Sequence, residues 1–86
     1  MNHDAIAKHL AALDAALTDE AAFPRAFDAL KADPAMKAPE TKALAKMFAR
    51  WSAHTKRGAL NAIWARHAAL MLEKAKAAAT AGRTAA

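Results

Sequence analysis

Large apolar residues recur along this chain at helical intervals. Ile6, Leu10, Leu13 and Leu17 stand four, three and four apart, so they share one face of a helix over about Asp4–Leu17. Asn2 or Asp4 is the expected cap, offering a side-chain oxygen to a free backbone N–H. Phe23, Phe27 and Leu30 repeat the spacing and predict a second helix ending near Ala32. Pro24 leaves two readings open: a loose turn at 18–22 with the helix beginning near Phe23, or a helix from Asp19 kinked at the proline. Asp33-Pro34 and Ala38-Pro39 punctuate the middle, with Met36 expected to pin the linker to the core. Leu44, Met47, Phe48 and Trp51 predict a third helix from about Pro39 to Trp51. After Ser52-Ala53-His54, Thr55 caps a fourth. That helix runs from Lys56 to about Ala79, with Leu60, Ile63, Trp64, His67, Leu70 and Met71 in one sector. Its last two turns follow Leu72 without a large apolar residue and are expected to project or fray.

Composition narrows the class further. Of 86 residues, twenty-nine are Ala, and besides Met1 only eighteen are larger apolar ones, enough for one thin helical core. Val and Tyr are absent and Ile occurs twice, which argues against strands, whereas Ala is the best helix former. The expected fold is all-α: a small single-domain four-helix arrangement over residues 1–81, with a long C-terminal helix and a flexible tail at 82–86. The first two helices should form one antiparallel pair and the last two another.

The charge is unevenly divided. Residues 1–34 carry three Lys/Arg against six Asp/Glu, and residues 35–86 carry ten against two. The chain therefore has an acidic half, 1–34, and a basic half, 35–81. Such asymmetry points to a polyanionic partner or to packing of the halves against each other. Within the basic half, Lys42, Lys46 and Arg50 stand at i, i+4 and i+8, opposite the apolar stripe. Lys56 and Arg57 follow, with His54 between, so five cations fall within sixteen residues that contain no acid. They are the candidate nucleic-acid-binding residues, since Lys and Arg neutralise phosphates and release counterions. A solvated polar face is the plain alternative. Neutralisation of the α-helical cation row by Asp28 and Asp33 would remove the case for a site.

Residues 40–63, "ETKALAKMFARWSAHTKRGALNAI", resemble the helix-extended-loop-helix modules of the SAP and Rho N-terminal type. Those show a first helix like "LKALAK", a loop, and a Lys-rich second helix ending in "L-x-x-I". Here Leu44-Ala45-Lys46 match the first element, and Thr55-Lys56-Arg57 with Leu60 and Ile63 the second. The resemblance implies nucleic-acid binding through the start of the second helix and neighbouring cations. The loop lacks the usual glycine, Trp51 occupies part of it, and Thr41 stands where the pattern prefers Leu.

Other chemistry finds little footing. There is no Cys, which removes disulfides, thiolate ligands and Cys nucleophiles. His3, His9, His54 and His67 lack metal-ligand spacing, and His67 is expected to be partly buried. Ser52, the one serine, has no oriented base. No enzymatic activity, cofactor, metal or small-molecule substrate is therefore expected. Trp51 and Trp64 could stack on bases, but their periodicity places both in the core. No segment has the length of a membrane span and the start is unlike a signal peptide, so a cytoplasmic location is expected. The expected function is non-specific DNA or RNA binding through Lys42, Lys46, Arg50, Lys56 and Arg57. The alternative is a helical protein–protein interaction module, as a homodimer through helix 1 or the end of helix 4. A membrane-surface role for the basic, amphipathic helix 4 ranks last, because its apolar face is needed for the core.

Overall fold

A computed structural model describes the backbone of residues 1–85 and the side chains of residues 1–80. Four helices follow in order: α1 His3–Ala16, α2 Ala22–Ala32, α3 Ala38–Ala49 and α4 Lys56–Ala85. No strand occurs among the described residues. Both expected helix pairs form, α1 with α2 and α3 with α4, and α1 also packs on α3.

Local chemistry sets the helix starts. Asn2 Oδ1 accepts the Ala5 N–H at 3.0 Å, with Asp4 in the first turn of α1 complementing the helix dipole. Before α2, Asp19 Oδ1 accepts the N–H groups of Ala21 and Ala22, each at 2.9 Å, and its carbonyl takes that of Phe23. Pro24 thus stands in the first turn of α2, where its missing donor costs least. Asp33 is extended, as a residue before proline prefers, and its Oδ1 accepts the Ala35 N–H at 2.9 Å. Thr55 Oγ1 accepts the Gly58 N–H at 2.9 Å and caps α4. An added Cβ on Gly58 would lie 3.1 Å from that oxygen, so glycine leaves the cap room to close.

The core centres on Phe23, which has no solvent access. Around it stand Phe27, Phe48, Trp64 and His67, their ring centroids 6.3, 6.1, 5.8 and 4.1 Å away. Leu13, Leu30, Met36, Leu44 and Ile63 complete it, so Met36 does pin the linker. Ala45 and Ala59, both fully buried, let α3 and α4 approach closely. Four polar side chains share this interior: His9, Glu40, Thr41 and His67. His9 Nε2 lies 2.7 Å from Asp33 Oδ2 and ties α1 to the linker. Thr41 Oγ1 donates to the Lys37 carbonyl at 3.0 Å, which satisfies a hydroxyl where an aliphatic residue would otherwise pack. Glu40 Oε2 accepts the Asn2 N–H at 2.9 Å and holds the chain's start against α3.

Several expectations need correction. α3 stops at Ala49 because Arg50 turns left-handed, φ 53° and ψ 40°. Trp51 therefore leaves the helical stripe and is 60% exposed, not buried. Trp64 packs on Phe23 and Phe27 with one face, yet keeps 39% of its surface exposed. Met47, expected on the apolar face, is 58% exposed. α4 continues to Ala85, past the expected stop at Thr80-Ala81-Gly82. A lone helical glycine costs only ~1 kcal/mol among good helix formers. The side chains of the expected tail at 82–86, and Ala86 altogether, lie outside the described residues. At about 1.5 Å per residue α4 is roughly 45 Å long, which accounts for the molecule's 53 × 22 × 16 Å extents.

Candidate nucleic-acid interface

α3 buries Thr41, Leu44, Ala45 and Phe48, which fixes the direction of its other side. Lys46 is exposed there and Lys42 half-buried, while Arg50 is exposed just past the helix end. Lys42 Nζ reaches the His54 carbonyl at 3.5 Å and braces the α3–α4 loop. Beyond the loop Arg57 is exposed and Lys56 half-buried, at the positive end of the α4 dipole. Lys42 and Lys46 thus lie on α3, Arg50 at its left-handed end, and Lys56 and Arg57 at the start of α4, with the 3.5 Å contact tying Lys42 to the loop between.

Acids do not neutralise this row. Asp33 is engaged by His9 at 2.7 Å, and Asp28 by Lys31 at 3.4 Å. Among the described residues these are the acid–base side-chain contacts, and neither involves Lys42, Lys46, Arg50, Lys56 or Arg57. One acid does approach: Asp14 of α1 lines an open groove with Leu10, Met47, Arg50 and Arg66. It makes no ion pair with either arginine.

Two neighbours of the row stand where the sequence did not place them. Arg66 of α4 donates to the Phe48 carbonyl, at the end of α3. Its guanidinium lies 4.6 Å from the centroid of the Phe48 ring, a cation–π contact that holds it at the α3–α4 seam. Trp51 is the second. An open groove of about 550 Å³ runs beside it, lined by Ala49, Trp51, Gly58, Asn61, Ala62, Ala65 and Arg66. Its walls are small, apart from the indole, an amide and a guanidinium, and no acid lines it. The arrangement sets positive charge beside an exposed aromatic ring.

The carboxylates that are drawn below their ordinary range belong to the scaffold. The His9 hydrogen bond, then the Ala35 N–H, lower Asp33. The N–H groups of Ala22 and Ala21 lower Asp19. The Asn2 N–H, then its own backbone N–H, lower Glu40. Among the described residues no three His, Asp or Glu side chains cluster in a way that could hold a metal ion. No helix among them is long and apolar enough to cross a membrane. No family model matches the chain, and neither does any curated protein or solved structure.

Proposed function

We propose that this chain is a small non-enzymatic binding module of the cytoplasm, which holds nucleic acid non-specifically through Lys42, Lys46, Arg50, Lys56 and Arg57. The observation that carries the reading is the single-signed, unpaired cation row on α3 and the start of α4. Asp28 and Asp33, the acids whose approach would have neutralised the row, are engaged elsewhere. A face needed only for solubility would be served as well by mixed charge. Phosphate contacts need no base recognition, so modest affinity and weak sequence preference follow. The resemblance of residues 40–63 to SAP-type modules agrees with this reading.

A titration of labelled DNA and RNA at low salt tests it. The unaltered protein should bind, and Lys46→Gln with Arg50→Gln should lose most of the affinity while keeping the helical spectrum. Lys74→Gln with Lys76→Gln removes the same charge from the far part of α4, where Lys74 shares a groove with Asp19 and Glu20. That pair should have little effect. Equal losses from both pairs would mean diffuse charge and no site.

A second reading, self-association, has one observation in its favour. Leu72 is 56% exposed on the part of α4 that outruns the core. The α1 stripe is unavailable for it, since Ile6 and Leu13 are buried within the chain. Sedimentation across a wide concentration range decides: a clean monomer removes the homodimer.

A further inference from the structure

Trp51 is 60% exposed. It follows a helix end forced by the left-handed Arg50, so the indole stands clear of the stripe that would have buried it. It lines an open groove with Ala49, Gly58, Ala62 and Ala65, whose side chains are small. Asn61 and Arg66 complete the rim, offering an amide edge and a cation. The flanking residues before and after are Arg50 and, across the loop, Lys56 and Arg57.

We propose that this groove takes an unpaired nucleobase stacked on Trp51, so that the ligand is a single-stranded nucleic acid. The inference rests on the polyanion reading above and names its substrate class. In a duplex the faces of the bases are covered by their neighbours, so an aromatic platform gains nothing there. In a single strand each base has a free face, and stacking is tolerant of sequence because every base has one. Phosphates on either side of the stacked base fall to Arg50 and Arg66, and the backbone continues along the α3 row. Charge complementarity favours this occupant over an apolar peptide, because the groove's lining carries Arg66 and no acid, and Asp14 in the adjoining groove pairs with neither Arg50 nor Arg66.

The test uses the whole chain carrying Trp64→Phe, which leaves Trp51 as the sole tryptophan. It is titrated at low salt with oligo-dT, oligo-rU and a mixed-sequence DNA duplex of equal phosphate number. Both single strands should quench Trp51 fluorescence and bind more tightly than the duplex. A dT-only or rU-only response would restrict the ligand to DNA or RNA within the same proposal. Trp51→Ala should then weaken single-strand binding roughly 5- to 150-fold, the span for one stacked base. Duplex affinity should stay unchanged, and Trp51→Phe should recover most of the loss. The proposal is overturned if duplex and single strand bind alike, Trp51 emission does not respond, and Trp51→Ala binds as before. If Lys46→Gln with Arg50→Gln still abolishes binding in that case, the polyanion reading survives without the stacking site. No binding by any of the three probes overturns both. Trp51 is exposed, so a preserved helical spectrum is expected for its variants and checks that the fold is intact.

Discussion

His67 stacks on Phe23 with ring centroids 4.1 Å apart and planes 5° from parallel, while its Nδ1 meets the Leu17 carbonyl at 2.8 Å. One side chain of α4 thereby packs against α2 and satisfies the carbonyl at the end of α1. His67→Ala should cost ~2–4 kcal/mol, from the cavity and the carbonyl left without its donor. His67→Phe keeps the stacked ring and should cost only ~1–2 kcal/mol for the lost hydrogen bond. Urea unfolding measures both. Equal losses would mean that the hydrogen bond, and not the stacked ring, accounts for the contribution.

Trp64 sits beside this pair, its ring centroid 5.4 Å from that of His67. Because part of the indole faces solvent, Trp64→Ala should cost ~1.5–3 kcal/mol, below the range of a fully enclosed aromatic. Thermal or urea unfolding gives the figure. A loss near 5 kcal/mol would mean the ring is enclosed.

Stability should fall on the acid side. Asp19, Asp33 and Glu40 all have folded-state pKa values drawn below their ordinary ones. A lowered carboxylate contributes fully above its unfolded value, near pH 4, and loses that contribution as pH falls through its folded value. The urea midpoint should therefore decline below about pH 4. Asp33→Asn should lower the midpoint at neutral pH and flatten the decline. An unchanged acid limb would remove the His9–Asp33 contact from the cause.

Arg50 is the one non-glycine residue with positive φ among the described residues. Left-handed backbone costs an ordinary side chain ~1–2 kcal/mol. Arg50→Gly should accordingly stabilise the fold by ~0.5–1 kcal/mol, the remainder being lost to glycine's greater freedom when unfolded. The same change should weaken nucleic-acid binding, so stability and binding should move in opposite directions. A thermal melt beside a binding titration reads both.

Much of the fold was legible because its signals are local. The spacings of Ile6 and Leu13, Leu44 and Phe48, and Ile63 and His67 each lie on one helix, and Asn2 and Thr55 act within a turn. What escaped depends on residues far apart. His9 is buried because Asp33 reaches it from 24 positions away, and Glu40 because Asn2 does from 38. Lys42 and Lys46 were legible for the same local reason, since i and i+4 share a face wherever the helix packs, but Arg50 leaves that face in its left-handed turn. Trp51 was misplaced because periodicity was carried past a helix end that no glycine marks. Arg66 joins the site only through the packing of α4 against Phe48, and its position in the chain gives no sign of that.

The most direct measurement is the salt dependence of binding to a single-stranded oligonucleotide, for the unaltered protein and for Lys46→Gln with Arg50→Gln. Single strands give a log–log slope of about −0.7 per phosphate neutralised, so three to five contacts should give roughly −2 to −3.5. Removing two cations of the row should make the slope shallower by about 1.4, and Lys74→Gln with Lys76→Gln should leave it unchanged. A slope near zero in the unaltered protein, or the same change from both pairs, would contradict phosphate binding by the α3 row.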